Sequence, residues 1–336
     1  MPKVTTVGAP FLDLMSGFPL SEMEGRSHTE PGQLDLKLSP GGPASNICTG
    51  IARLGMGSSI AGKIGDDWFG QFLRRTFERE NVEVSSLIET PERKTGIVFP
   101  IIDKEGVQQG YEILNESTQF ELDGSEIAEL TPLEADLLMV DGILLMAQSG
   151  REALQAALSS AKKEEIPVAF DPNFRVPVSV IESEMKETLT AVLERTEYLL
   201  LNENELEKLG EVFSPDSSGA EITEGLGEIY GIHAVIVKQG SRGHRVNTDG
   251  DQFSREAFEI EAVDTQGGGD SFDAGFIAGL LKGLDVRDSA LVGSAAAAIV
   301  CSGRTAWDPL PTAKELAGFL VDRNYCSLAE TIRSRE

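Results

Sequence analysis

Residues suited to cross-linking or metal binding are scarce in this sequence. Its 336 residues hold three cysteines (Cys48, Cys301, Cys326) and three histidines (His28, His233, His244), scattered too widely for a disulfide framework or a zinc-ligand spacing. Long hydrophobic runs are missing as well. The longest, Leu137–Ala147, is broken by Asp141-Gly142 and falls short of the ~20 residues of a membrane helix. Met1-Pro2-Lys3 leads straight into a strand-like Val4–Val7 with no basic-then-apolar signal segment. Positive charge is in deficit: 29 Lys+Arg face 55 Asp+Glu, a net charge of −26. Such a surface repels DNA, RNA and anionic membranes, which are bound largely through cations on phosphates. An anionic small substrate would need a local positive site. The expectation is a soluble, cytoplasmic protein with neither nucleic acid nor membrane as partner.

What is present is ordinary globular material: 40% hydrophobic residues and 35 glycines. At roughly 150 residues per domain the length allows one large domain or two ordinary ones. Hydrophobic spacing predicts short strands at Val4–Val7, Gln33–Leu38 and Ser59–Lys63, with a helix from Ala44 to Leu54 behind Pro43. Asp66 or Asp67 is expected to cap a helix carrying Phe69, Phe72, Leu73 and Phe77. Thr95–Asp103 and Val107–Leu114 flank Lys104-Glu105-Gly106 as a hairpin. From Asp136 onward strands and helices alternate, ending in helical stretches at Gly268–Lys282, Val286–Cys301 and Thr312–Val321. This order predicts an α/β fold with a mainly parallel central sheet flanked by helices. No linker divides the chain, so residues 1–336 read as a single domain. The segments near 33–38 and 95–114 do not fit the alternation and read as a small β excursion.

Two phosphate-binding patterns fail. Gly57-Ser-Ser-Ile-Ala-Gly62-Lys63 matches a P-loop until Ile64 stands where Mg²⁺ needs a hydroxyl, so the stretch reads as a turn plus a strand. A dinucleotide fingerprint is absent, since Gly267-x-Gly269 is followed by Phe272 rather than a third spaced glycine. A third pattern is stronger: Asp264-Thr-Gln-Gly267-Gly268-Gly269-Asp270-Ser-Phe-Asp-Ala-Gly-Phe276. Three glycines before an apolar helix leave backbone N–H groups open at the positive end of a helix dipole, a natural anion site. A carboxylate at its mouth suits proton removal from a hydroxyl that attacks a phosphoryl group. The plainer reading is a flexible turn with Asp270 as helix N-cap.

A second cluster, Ser39-Pro-Gly41-Gly42-Pro-Ala-Ser-Asn46, also leads into a helix, and the Asn46 carboxamide can hydrogen-bond two hydroxyls. With the 264–276 segment it forms a pair that resembles the ribokinase-like (PfkB) family of carbohydrate kinases, over Gly8 to about Trp307. The resemblance implies a ribokinase-like fold in which segments of about 9–40 and 95–117 form a small β-sheet lid over an acceptor sugar. It implies sugar-binding roles for Asp13 (in Gly8-x-x-x-x-Asp13), Gly41, Gly42 and Asn46. Asp270 matches the catalytic base, and Gly267, Gly268 and Gly269 match the anion hole. Members usually carry Gly-Ala-Gly-Asp or Ala-Ala-Gly-Asp there, so Gly-Gly-Gly-Asp is a mild departure.

On the donor side the resemblance implies ATP and Mg²⁺. Asn202-x-x-Glu205 matches an element that organises Mg²⁺ and phosphates through water; by itself it reads as a helix cap. Lys238-Gln-Gly240-Ser-Arg-Gly243 is similar to the family's nucleotide turn, with Lys238 either near the phosphates or a solvated strand end. Asp264 falls where many members hold K⁺, the second arm lying near Cys301–Thr305. Phe170-Asp-Pro-Asn-Phe-Arg175 resembles a stretch of fructokinases and 2-keto-3-deoxygluconate kinases, with Arg175 able to neutralise an acidic group or to form a plain salt bridge. The lid region Gly110–Asn115 has Tyr111 but no arginine, so a carboxylate would lose an obvious partner. A neutral ketohexose or pentose is therefore the expected acceptor, with a ketogluconate or nucleoside as the alternative. A homodimer through the lid edge is also expected. Two rivals are weaker: a dehydrogenase, which lacks its glycine turn after the first strand, and a non-catalytic binding relative, which has no reason to keep Asp270 and its glycines.

Overall fold

The computed structural model describes residues 1–16, 36–102, 108–112, 117–130, 134–174, 179, 181–213, 217–248 and 251–334. In chain order the elements are β1 (Lys3–Val7), β2 (Phe11–Ser16), β3 (Leu36–Gly41), α1 (Pro43–Arg53), β4 (Gly57–Gly65), α2 (Trp68–Arg79), β5 (Val82–Glu83), β6 (Leu87–Thr90), β7 (Ile97–Ile102) and β8 (Gln108–Glu112). There follow α3 (Gly124–Glu129), β9 (Leu137–Asp141), α4 (Gln148–Lys163), β10 (Val168–Asp171), α5 (Ser183–Leu193), β11 (Thr196–Asn202), α6 (Glu203–Phe213), α7 (Gly219–Tyr230) and β12 (Ala234–Lys238). The chain ends with β13 (His244–Thr248), β14 (Asp251–Arg255), α8 (Gly268–Leu281), α9 (Val286–Cys301), α10 (Ala313–Val321) and α11 (Cys326–Arg333).

Among the described residues, ten strands form one sheet in the order β14-β13-β12-β11-β10-β9-β1-β4-β5, with β6 on β4. Every pairing is parallel except β12–β13 and β13–β14. Side chains on the parallel strands alternate between two apolar clusters. Leu138, Val140, Phe170, Leu199 and Leu201 join the layer containing α4, α5 and α6. Met139, Ala169 and Leu200 join the opposite layer, with Phe276, Val292 and Leu316 of α8, α9 and α10. Burial on both faces is what a parallel sheet requires. A second sheet of four strands, β3-β2-β7-β8, stands apart from it. The apparent P-loop is simply β4, and its Lys63 pairs with Glu126.

The strand at Gln33–Leu38 is shifted: β3 runs from Leu36 through Gly41, with Ser39 opposite Asp13 and Gly41 opposite Phe11, and residues 33–35 lie outside the described set. The sugar-loop glycines thus end a strand instead of forming a free loop. Strand β2, which carries Asp13, is not among the strands expected from hydrophobic spacing; Pro10 just ahead of it interrupts the apolar run. The turn of the expected hairpin, 103–107, falls outside the described residues, whereas its strands β7 and β8 pair antiparallel as anticipated. Of the two capping candidates it is Asp67 that caps α2, accepting from the Gly70 N–H at 2.9 Å.

Consecutive parallel strands end at one edge of the large sheet. Gly8 follows β1, Asp141 ends β9 beside Asp171 of β10, and Asn202 of β11 lies beside Lys238 of β12. In open α/β sheets ligands gather at this carboxyl edge, where strand order reverses; here the reversal is at β1, flanked by β9 and β4.

Candidate active site

Helix α8 begins at this edge. Its N-cap Gly267 has φ +70°, and a Cβ there would stand 2.6 Å from the Ala306 Cβ, so both conformation and packing call for glycine. A Cβ on Gly268 would stand 2.8 Å from the Cys301 Sγ, which favours glycine there. Asp270 lies in the first turn, where an α-helix leaves amides without intrahelical acceptors and favours negative charge.

Helix α1 begins at the facing side. Gly42 is its N-cap with φ +86°, and Pro43 takes the first helical position. A side chain on Gly41 would collide with the Asp13 carboxylate, whose Cγ is 2.4 Å from the Cβ position. Asn46, one turn on, is 4% exposed and donates its Nδ2–H to the Asp270 Oδ2 at 2.7 Å. The two glycine motifs, 224 residues apart, therefore meet through a single hydrogen bond. The buried Asn46 Oδ1 has no hydrogen-bond partner among the described residues, so it can accept a hydrogen bond from a ligand hydroxyl.

On the other side of α8 lies a cavity of about 730 Å³ lined by Lys238, Gly240, Gly243, Gly268, Gly269 and residues of α9. Three of the expected donor-side positions thus share one wall with two of the expected anion-hole glycines. Asn202 and Glu205 do not line it. They cap α6 reciprocally, Asn202 N–H to Glu205 Oε2 at 2.8 Å and Glu205 N–H to Asn202 Oδ1 at 2.9 Å. The plain capping role is therefore real, and the buried Glu205 also lies within the electrostatic reach of Lys238.

Lys238 is not a solvated strand end. Its Nζ donates to Asp171 Oδ2 at 2.8 Å and to both oxygens of Asp273 at 2.9 and 3.0 Å. Burial works against its charge, but Asp171, Asp273 and Glu205 outweigh that and hold its pKa above the usual lysine range. Burial also opposes ionisation of Asp171, yet Lys238 and hydrogen bonds from Lys238 and Asn173 leave its pKa lowered. Asp273, fully buried, is pushed well above the usual carboxylate range by that burial, with Lys238 opposing and Asp171 reinforcing.

The two arms suggested for a cation also meet. Asp264 accepts from the Gln266 N–H at 3.0 Å and from the Thr305 N–H at 3.1 Å, while the Cys301 carbonyl accepts from Val263 and Asp264. Thr305, in the left-handed region at φ +71°, ends the Cys301–Thr305 stretch expected as the second arm. Motif reading missed Ser294, Ala297 and Ala298 on the cavity wall: small residues on an apolar helix read as packing, and nothing local marks them as lining a site. Arg175 lies outside the described residues, as does much of the 110–115 comparison.

An α/β sheet covered on both faces, whose carboxyl edge sets the buried Asn46–Asp270 pair and a glycine-rich helix start beside a cavity, has the layout of a phosphotransferase. Residues 18–313 match the model of the pfkB family carbohydrate kinases, and the chain belongs to that family and is a carbohydrate kinase. A 5-dehydro-2-deoxygluconokinase of Bacillus subtilis is 28% identical over 280 residues, 82% of this chain and 85% of that one. The Vibrio cholerae fructokinase solved with fructose, ADP and calcium superposes with a TM-score of 0.79 at 25% identity, over 95% of this chain and 99% of the other. A Thermotoga maritima ribokinase shares the fold at a TM-score of 0.78 and 24% identity, over 96% and 100% of the two chains. No helix among the described residues is long and apolar enough to cross a membrane.

Proposed function

We propose that this carbohydrate kinase transfers the γ-phosphoryl group of ATP to a hydroxyl of a six-carbon keto sugar, with 5-dehydro-2-deoxygluconate as the first candidate. The observation that carries the reading is the Asn46–Asp270 hydrogen bond: it sets an acceptor-type amide against a base-type carboxylate next to the glycine-lined cavity. Asp13, Gly41, Gly42 and Asn46 bind the acceptor. Its hydroxyl oxygen attacks the γ-phosphorus, the bond to the β,γ-bridging oxygen breaks, and ADP leaves. The hydroxyl proton passes to Asp270, while the amides of Gly267, Gly268 and Gly269 stabilise charge on the phosphoryl oxygens. Most of the rate gain comes from positioning and electrostatics.

Mg²⁺ bound with the nucleotide supplies neutralisation of phosphate charge. Glu205, with Asn202, would hold it through water, a role that suits a buried carboxylate and a hard cation. Asp264 would hold K⁺ with the backbone near Thr305. The small sheet serves as a lid and pairs two copies through its edge strands; a monomer at assay concentration in sedimentation refutes that pairing.

The relatives' name and the Asp171-x-Asn173-x-Arg175 stretch support a keto acid, with Arg175 meeting its carboxylate. A neutral ketohexose is the second reading, favoured because residues 110–115 contain no arginine and Lys238 is already bound by two carboxylates. The test is ADP release from MgATP with 5-dehydro-2-deoxygluconate, 2-keto-3-deoxygluconate, fructose, ribose and adenosine, each with and without K⁺. Asp270→Asn is expected to lose at least ~100-fold in kcat while keeping its melting temperature. Near-normal turnover in that variant refutes the mechanism.

A further inference from the structure

Helix α2 carries an aromatic and cationic stripe that the fold leaves uncovered. Trp68 is 68% exposed. Its ring stacks on Phe72 at 5.9 Å with the planes 22° apart, and meets Phe69 edge-on at 5.4 Å. Trp68, Phe72, Arg75 and Arg79 follow one another at helical spacing, so they lie along one face. With Gln71 and Glu78 they line a groove of about 700 Å³. The shelf is firmly held. Asp67 fixes the start of the helix by accepting from Gly70 and Thr95. The Arg79 guanidinium lies back along the helix, donating to the Thr76 hydroxyl at 3.0 Å and the Arg75 carbonyl at 3.3 Å. A large exposed ring beside arginines is the composition of an interface centre, where tryptophan and arginine carry most of the binding energy.

We propose that this face is a twofold interface between two copies of this chain, with α2 packed antiparallel on α2. The stripe has rings in its first half and guanidinium groups in its second. A twofold axis crossing the helix between Leu73 and Arg74 therefore sets Trp68 against the partner's Arg79 and Phe72 against the partner's Arg75. The same two pairs recur on the other side of the axis, giving four arginine–aromatic contacts. An interface of this symmetry has to be self-complementary, and the stripe complements itself only in the antiparallel register. An arginine within about 6 Å of a ring is attracted to its face; the fold already contains such a pair, Arg323 over Phe319 at 3.5 Å. Charge favours the same surface. Copies with a net charge of −26 repel one another at long range, whereas in this groove Arg75 and Arg79 stand beside a single acid, Glu78. The inference does not rest on the kinase reading, and its surface differs from the lid edge strands β3 and β8.

The test is sedimentation velocity of the full chain over a concentration series, with acrylamide quenching of tryptophan emission at each concentration. The other tryptophan of the chain, Trp307, is 5% exposed, so quenching reports on Trp68. Expected is association in which Trp68 becomes shielded as the larger species forms. Should the lid edges pair as well, the shielding marks the step from dimer to tetramer. Trp68→Ala and Arg75→Gln/Arg79→Gln are each expected to weaken the shielding step, or the association it accompanies, about 10–100-fold. Their urea unfolding should be little changed, because all three side chains are exposed. The arginine variant leaves the aromatic shelf intact and decides the matter if Trp68→Ala disturbs folding. A chain that stays monomeric throughout overturns the proposal and leaves the groove to a different partner. Association in which Trp68 remains open to acrylamide also overturns it, since the copies then meet elsewhere, as at the lid edge. So does an association of unchanged strength in both variants.

Discussion

Acidification should cost this protein stability through His244 in a window set by the structure. His244 is 0% exposed and pairs across the sheet with Lys238. Its Nδ1 lies 2.8 Å from the Ser294 Oγ, and its ring stands edge-on to Phe272 at 5.7 Å. Burial, helped by the nearby Arg255 charge, pushes its pKa down from 6.5 to about 4. Between those values the unfolded chain binds a proton that the folded chain refuses, so stability falls as pH drops through the window and levels off below it. At 1.36 kcal/mol per pH unit the full effect is about 3 kcal/mol; above pH 6.5 the contribution is constant. The perturbation is His244→Gln, whose amide can keep a hydrogen bond to Ser294 but does not titrate. Urea unfolding of both proteins between pH 7 and 4.5 cancels the carboxylates they share. The wild-type advantage should shrink by about 2–3 kcal/mol over that range. Parallel curves refute the reasoning, since they mean that the folded protein accepts the proton at no cost.

Two further outcomes follow from individual contacts. Asp67 caps α2 and also accepts from the Thr95 N–H and hydroxyl at 2.9 Å, so Asp67→Ala should cost about 1–3 kcal/mol in denaturant unfolding. Burial opposes its ionisation, but those hydrogen bonds win and lower its pKa; the contribution is complete above the ordinary carboxylate pKa and fades as pH falls through the lower folded value. Gly41→Ala should displace the Asp13 carboxylate, which lies 2.4–2.7 Å from the new Cβ. Sugar kcat/KM is expected to fall about 10–100-fold, the cost of an ångström-scale misplacement, while nucleotide affinity measured by titration holds. Equal loss for both ligands shows that the damage is not confined to the acceptor side.

The features that could be read ahead of the structure share a physical cause: they are written in local backbone or burial rules. Short continuous apolar runs reported the parallel strands because both faces of that sheet are buried. Pro43 and Gly42 reported the start of α1, and Gly267 through Gly269 the start of α8, because few residues tolerate those conformations and contacts. Elements β5 and β6, only two and four residues long, carry too few positions for a period to emerge. Helix α3 has six residues and one fully buried side chain, so its apolar stripe is almost absent.

Pairings between distant elements belong to a different category. Nothing near Asn46 specifies Asp270, and the meeting of the two was expected only through a family resemblance. The cluster of Lys238 with Asp171 and Asp273 was not foreseen even so. Asp171 had been noticed for its neighbour Arg175, and Asp273 looked like one more polar residue on an otherwise apolar helix. What gives Asp273 away is the contrast that only the fold supplies: a carboxylate at 0% exposure on the face of α8 that packs into the sheet. Burying an acid there costs several kcal/mol unless it is paired. A sequence that places such a residue one turn beyond Asp270, and a lysine 35 residues upstream to meet it, puts a charge pair where an apolar residue would carry no desolvation cost.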